Sequence, residues 1–588
     1  MSPIVRRVSP LTPLPGQAPL PAPSAAALLR RNAGDPDIGG RPAIRFEDEV
    51  WSHAEYLVES RRWANLLLSR QSPGDRPTHV GVLLDNTPDY LFALGGAALA
   101  GATVVGLNPT RVGEHLLGDL VHTDVDVVVT EPAHLDDLAG LDLGGRPVLV
   151  SHRWSEPGGG GRGRGDADLD EALDRVGSDD PQVPVDSDTR WALIFTSGTS
   201  GAPKGVICSQ RRLMVTGSRM ATLLGLGPDD VGYVAMPLFH SNALMVGWAP
   251  SVVVGASVGL ARRFSVSRFL PDVRHYGSTW FNYTGKPLSY LLASPPGDDD
   301  AHNPLRVAFG NEGAPLVIEE FGRRFDVEVI DAFGSTEGAV ALNRDAPDRA
   351  GAMGLAGSTI RIVGEDGKEC PPARYDAEGG LLNAEECVGE IVNTAGSGPF
   401  EGYYNNPEAT ERATRNGWYW SGDLGYLDDD RYLYFAGRTS DWIRVDGENF
   451  PAGPIADAVA HHPEVIVAVA YGVPDPDAGD QVMVAIVLRP GAELDPAGLA
   501  RWLDEDAGIG PKWRPRFVRI ADELPTTGTN KVVTRTLARQ KYRLDRVGSD
   551  TVWVRDRDAV SYRRFGPADE SALRDEFVAR GRQRIWDL

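Results

Sequence analysis

Cysteine is scarce in this chain: its 588 residues hold three, Cys208, Cys370 and Cys387, and their spacing fits no metal-ligand or redox pair. An odd count gives no disulfide framework, so the fold must rest on its core, and a reducing cytoplasm is the expected compartment. Long apolar runs are missing too; none approaches the roughly 20 residues that span a bilayer. Arg6 and Arg7 open the chain as a secretory signal might, but prolines then interrupt the stretch such a signal keeps apolar. Residues 1–25 therefore read as a disordered Pro-rich lead-in. Positive charge is short: 59 Lys and Arg face 82 Asp and Glu, a net −23, which argues against a nucleic-acid or anionic-membrane partner. No internal repeat is evident.

What is present is ordinary for a water-soluble globular chain, 42% hydrophobic and 24% charged. At this length more than one core is required. The pattern from Ala43 to Gly106 predicts a short strand pair over 43–50 and an amphipathic helix from His53 to about Ser69. A buried strand over Val80–Leu84, a helix over Asp89–Ala100 and a strand over Thr103–Gly106 follow. Strand, helix and strand in this order predict a right-handed parallel unit and an α/β layer fold. Residues 156–165 are low-complexity, and the Asp-rich run 166–188 reads the same way, as a solvated linker.

The strongest local signal is Trp191 to Val206. An apolar strand empties into Thr196-Ser197-Gly198-Thr199-Ser200-Gly201-Ala202-Pro203-Lys204-Gly205 before apolar sequence resumes. Glycines let backbone N–H groups approach an anion, hydroxyls add donors, and one lysine supplies charge. Gly/Ser stretches are often plain surface turns; the strand in front and the Pro-Lys-Gly ending favour a phosphate cradle. It is not a Walker loop, since Gly205 follows the lysine where that pattern has Ser or Thr. It resembles the phosphate loop of the adenylate-forming superfamily, which implies ATP used to make an acyl-adenylate.

Downstream segments extend the likeness. Met236-Pro237-Leu238-Phe239-His240-Ser241-Asn242 resembles the family's acyl-pocket border, which places His240 beside the reacting carboxylate as a wall residue, not a general base. Tyr283-Thr284-Gly285-Lys286-Pro287 and Phe309-Gly310-Asn311-Glu312-Gly313-Ala314-Pro315 resemble long-chain acyl-CoA synthetases of the fatty-acid-transport-protein-like branch. That likeness runs from about residue 45 to the C-terminus. Gly313, Ala314 and Pro315 join the nucleotide site by this resemblance.

Glu328 to Ile330 reads as the end of a strand, followed by Asp331-Ala332-Phe333-Gly334-Ser335-Thr336-Glu337-Gly338. An aromatic ring, hydroxyls and a carboxylate among glycines suit a nucleotide: Phe333 for adenine, Thr336 for the α-phosphate, and Glu337 as a hard oxygen ligand for Mg²⁺. Thr196 is taken as a second oxygen donor to the metal, and Asp331, Gly334 and Ser335 as nucleotide-lining residues. A helix N-cap at Ser335 or Thr336 is the alternative reading of this stretch.

The resemblance further implies Asp423 on the ribose hydroxyls, Arg438 on ribose and phosphate, and a hinge at Ser440, where many relatives carry Asp or Lys. It also implies Gly447 lining a pantetheine tunnel and Lys531, in Thr526-Thr527-Gly528-Thr529-Asn530-Lys531, bridging the attacking carboxylate and the α-phosphate. The implied architecture is α/β: a multi-subdomain ATP- and acid-binding domain over 26–439, a small mobile α+β domain over 440–544, and a helical C-terminal extension over 545–588. ATP, Mg²⁺ and CoA are the expected cofactors and a small-molecule acid the partner; a homodimer is compatible with all of this.

Three rivals stay open on sequence alone. Related ligases activate nitrite and diazotise an aromatic amine, and Trp248, Trp280 and Phe281 would suit a narrowed, aromatic channel. A separate carrier protein could replace CoA. A nucleotide-binding pseudoenzyme is the third, against which Lys204, Glu337 and Lys531 are all present.

Overall fold

The computed structural model describes residues 20–586 except 72–75, 155–166, 197–203, 285–286, 312–314, 344–351, 365, 376–380, 439–441, 446–447, 477–479, 508, 510–512, 527–531, 557–558, 580–582 and 584–585. The expectations for the lead-in up to residue 19, the low-complexity run 156–165, Ser440, Gly447 and Lys531 lie outside the described residues.

Two sheets form the body of the large domain. One has eight strands in the spatial order Ala341–Asn343, Glu328–Gly334, Val307–Asn311, Trp280–Thr284, Val231–Val234, Ser257–Leu260, Pro42–Phe46 and Glu49–Ser52. Its interior pairs are parallel and both edge pairs antiparallel. The other has seven, in the order Ala167–Asp168, Val148–Val150, Val127–Thr130, His79–Leu83, Thr103–Gly106, Arg190–Phe195 and Gly205–Ser209. This is the layered α/β architecture expected, with parallel strands buried as near-continuous Val/Ile/Leu runs.

The helix Pro88–Ala100 is buried along its whole length, apolar throughout but for Asp89 and the Tyr90 hydroxyl in its first turn. Pro88 opens it and Gly101, at φ 67°, closes it in the left-handed region. It packs against His53–Ser69, whose start is fixed by a capping box between Ser52 and Glu55. The two helices approach closely at Gly96, where a Cβ would stand 2.5 Å from the Trp63 Cβ.

A five-stranded antiparallel sheet follows: Ala352–Leu355, Tyr432–Arg438, Tyr419–Leu427, Gly389–Asn393 and Ile360–Val363. After the hairpin Trp442–Val445 and Glu448–Pro451 comes a second five-stranded sheet, Val465–Pro474, Asp480–Leu488, Phe517–Ile520, Thr551–Val554 and Arg563–Arg564, with helices Gly453–Ala460, Pro496–Glu505 and Thr534–Gln540. The segment after 544 thus supplies two strands of this sheet as well as the helix Pro567–Ala579.

Two local expectations are corrected. The Asp-rich run 166–188 is not a solvated linker throughout: the helix Leu169–Asp174 buries Leu169, Ala172 and Leu173. Asp180 there accepts two hydrogen bonds from Arg30, both at 2.7 Å, and this guanidinium holds its carboxyl down at about 2. The strand expected to end at Ile330 runs on to Gly334, because Ala332–Gly334 pair with Ala341–Asn343.

Asp89, in the first turn of Pro88–Ala100, is buried, with Oδ2 accepting from Ser151 Oγ at 2.6 Å and Trp154 Nε1 at 3.1 Å. Burial pushes its carboxyl up to about 6. A folded pKa above the unfolded one means that this group's contribution is complete below about pH 4 and lost as pH rises through about 6, a change of roughly 3 kcal/mol. An asparagine Oδ1 can accept both bonds without titrating. Asp89→Asn is therefore expected to gain stability over the natural chain between pH 5 and 7.5, read from urea unfolding midpoints. An equal difference at both pH values would show that Asp89 does not titrate in this window.

Candidate active site

The site is assembled at the C-terminal ends of strands in the eight-stranded sheet, where open α/β sheets place their ligands. Tyr283 OH donates to Asp331 Oδ2 at 2.8 Å, and Asn311 Nδ2 donates to the Ala332 carbonyl at 2.5 Å. Asn242 Nδ2 reaches the Tyr283 carbonyl at 3.1 Å, and Asn282 Nδ2 donates to Asn242 Oδ1 at 2.6 Å. These buried amides tie the helix Asn242–Trp248, wound as a π-helix, to the strand ends below the site.

Beyond Gly334 the chain makes a turn, with Gly338 in the left-handed region at φ 73°, and no helix starts there. The N-cap reading of Ser335 and Thr336 is thereby set aside. Ser335 is exposed and Thr336 half-buried, with Thr336 Oγ1 3.1 Å from Ser241 Oγ. Arg212, only 5% exposed, donates to the carbonyls of Thr336 and Ile207, clamping the turn onto the helix Gln210–Leu224. Glu337 is 9% exposed, and its Oε1 accepts from Tyr403 OH at 2.7 Å. Burial and the Glu337 charge both push the Tyr403 phenol up, so it stays protonated and donating at neutral pH.

The strands Arg190–Phe195 and Gly205–Ser209 pair antiparallel, and Thr196 N–H donates to the Lys204 carbonyl at 3.1 Å. They bracket the loop whose residues Ser197, Gly198, Thr199 and Ser200 lie outside the described set. Lys204 Nζ lies 5.6 Å from the Tyr403 ring centroid, so Lys204 and Glu337 meet the same side chain. Gly313 and Ala314 are outside the described residues; Pro315 begins the helix Pro315–Phe325. Phe333 is half-buried, its ring 6.0 Å from that of Phe435. Asp423 and Arg438 are direct partners across the antiparallel pair of the five-stranded sheet. The Asp423 N–H is held by Ser421 Oγ at 3.1 Å.

His240 is half-buried, and its Nδ1 accepts from the Asn242 N–H at 3.3 Å. That places the ring proton of the neutral form on Nε2. The adjacent Ser241 is the residue that reaches Thr336.

Trp248, Trp280 and Phe281, weighed as channel walls, are core residues. Trp248 stacks on Trp191 at 5.6 Å, Trp280 is fully buried, and Phe281 packs edge-on to Phe269 at 5.1 Å. None of the three thiols is in a disulfide, and burial raises all of them, Cys208 to about 11 and Cys387 to about 12, so none is an activated nucleophile.

Tyr403 and Arg212 were not singled out by sequence, and the asparagines at 242, 282 and 311 lay in or beside the quoted motifs with no role assigned. Ser241 stood in a recognised motif without a role. Arg212 could have been suspected only from its place three residues after the N-cap Ser209. Arg212→Lys keeps the charge but offers a compact ammonium where a guanidinium spans two carbonyls. Leaving one carbonyl unpaired costs about 1–3 kcal/mol. The variant is expected to fold and to raise the KM for ATP about tenfold, by steady-state pyrophosphate release; an unchanged KM would show that the turn is held by other contacts.

A profile of the AMP-binding enzyme family matches residues 30–404, and one of the AMP-binding enzyme C-terminal domain matches 455–531. The chain belongs to the AMP-binding enzyme family. It is similar to a steroid-22-oyl-CoA synthetase of Rhodococcus jostii, 43% identical over 571 residues that span 95% of this chain and 98% of that one. A medium/long-chain-fatty-acid–CoA ligase of Mycobacterium marinum is 44% identical over 503 residues, 85% of this chain and 94% of the other. The fatty-acid-transport-protein likeness is more distant: protein 2 of that type from Rattus norvegicus is 30% identical, covering 89% of this chain and 86% of the other. Among solved structures, ATP-bound MatB from Rhodopseudomonas palustris superposes with a TM-score of 0.73 at 24% identity, over 88% of this chain and 98% of that one, a likeness of fold. The chain is thus an enzyme of the AMP-forming ligase class, of acyl-CoA synthetase type.

Proposed function

We propose that this enzyme activates a large, mainly apolar carboxylic acid, of medium to long chain or a steroid side chain, with ATP and passes the acyl group to CoA. The observation that carries this reading is the 43–44% identity to ligases of such acids over most of their length. In the first step a carboxylate oxygen attacks the α-phosphorus, the bond to the bridging oxygen breaks and pyrophosphate leaves. In the second the CoA thiol, losing its proton to solvent, attacks the adenylate carbonyl and AMP leaves.

Such chemistry is mostly positioning and charge stabilisation. In this reading Lys204, Thr196 and the loop between them hold the β- and γ-phosphates, and Thr336, steadied by Ser241, donates to the α-phosphate. Phe333 packs on the adenine, Asp423 and Arg438 take the ribose, and Lys531 contacts the reacting carboxylate. His240 walls the acyl end. The buried Glu337 carboxylate and the hydroxyl of Thr196 are hard oxygen donors of the kind Mg²⁺ prefers. Bound there, Mg²⁺ would neutralise phosphate charge. The reading extends to a reducing cytoplasm, which three cysteines outside any disulfide suit.

Pyrophosphate release is measured with ATP, Mg²⁺ and acids from acetate to long-chain fatty, aryl and steroid side-chain acids, plus nitrite, each with and without CoA or an aromatic amine. The reading expects turnover with large apolar acids, accelerated by CoA. Turnover with nitrite and an amine alone, indifferent to CoA, would overturn it. No observation favours that second route, since Trp248, Trp280 and Phe281 sit in the core.

A further inference from the structure

We propose that Tyr403 is a positioning residue that sets the Glu337 carboxylate for its role as a metal ligand. The inference rests on the nucleotide-site reading above.

Tyr403 is anchored by its backbone to the strand that leaves the phosphate loop. Tyr403 forms a β-bridge with Val206, Ile207 N–H donates to the Gly402 carbonyl at 3.0 Å, and Tyr404 N–H donates to the Gly205 carbonyl at 2.8 Å. A further bond, Tyr403 N–H to Thr410 Oγ1 at 3.0 Å, fixes the residue from the opposite side. Phe400 packs edge-on to its ring at 4.8 Å, and Tyr419 packs behind Phe400 at 5.6 Å.

The ring is therefore rigid, and its two ends meet different parts of the site. The hydroxyl holds Glu337 Oε1 at 2.7 Å, and the face lies 5.6 Å from Lys204 Nζ. A carboxylate with one oxygen so held is restrained in position before any cation arrives. Partners of this kind orient first-sphere ligands, and their loss costs about 10–100-fold in metal affinity or activity.

Tyr403→Phe removes the hydroxyl and keeps the ring beside Lys204 and Phe400. Two quantities are read on the full-length enzyme: the Mg²⁺ dependence of pyrophosphate release, and calorimetric affinity for ATP with and without Mg²⁺. Expected are a Mg²⁺ half-saturation raised at least about tenfold, a matching loss of Mg²⁺-ATP affinity, and unchanged affinity for metal-free ATP and unchanged KM for CoA. Combined with Glu337→Gln, the second change should add little, since both act through one carboxylate. An unchanged Mg²⁺ dependence in Tyr403→Phe, equal losses with and without metal, or additive effects in the pair would overturn the proposal. The calorimetric arm stands even if no acid is turned over, so failure of the functional reading is distinguishable from failure of this one.

Discussion

Lys531→Ala should abolish adenylation, by about a thousandfold or more in acid-dependent pyrophosphate release, while thioester formation from supplied acyl-adenylate and CoA stays within a few-fold of the natural enzyme. The two steps differ in what they need from this side chain. In the first, negative charge builds on the α-phosphate as an already anionic carboxylate approaches it. A cation touching both relieves that repulsion only in the transition state, and so acts on kcat. In the second, a neutral thioester forms and AMP departs, and the same face must admit the pantetheine arm. A lysine required in both steps would block the entry it serves, which is why the small domain is expected to rotate between them. Equal loss of both half-reactions would contradict this division.

Glu337→Gln is the second large effect, a fall in kcat of about a hundredfold or more with KM for the acid little changed. The substitution is isosteric, and its carbonyl oxygen can still accept from Tyr403, so the turn from Ser335 to Gly338 should keep its shape. What is lost is the charge. A neutral amide is a poorer ligand for a hard divalent ion, so raised Mg²⁺ should recover part of the activity. Steady-state rates over a Mg²⁺ series test this. A variant with natural activity at every Mg²⁺ concentration would show that the carboxylate serves the turn and not the phosphates.

Several of these residues were legible because their signals are local. The strand before the phosphate loop and the capped helix at His53 are read from neighbouring residues, and the structure has both. What escaped depends on partners distant in sequence. The strand from Glu328 reaches Gly334 only because Ala341–Asn343 lies beside it, which no periodicity in 328–334 announces. The acid-rich run after 166 looked solvated, yet Asp180 is matched by an arginine 150 positions earlier. Trp280 looked available for a channel; it lies over Gly232, where a Cβ would come within 2.7 Å of its ring, and only the folded sheet reveals that fit. Tyr403 meets Glu337 across 66 residues and Lys204 across the hairpin strand. The Glu337 carboxylate was visible in the sequence, but not the phenol that orients it.

The central claim is that the acid is activated by attack of its own oxygen on the α-phosphorus. It is tested most directly with a turned-over acid carrying ¹⁸O in both carboxylate positions, incubated with ATP, Mg²⁺ and CoA, and mass analysis of the nucleotide product. Adenylation followed by thiolysis places one acid oxygen in AMP, so labelled AMP should accumulate in step with the thioester. Unlabelled AMP, or ADP in its place, would contradict the account.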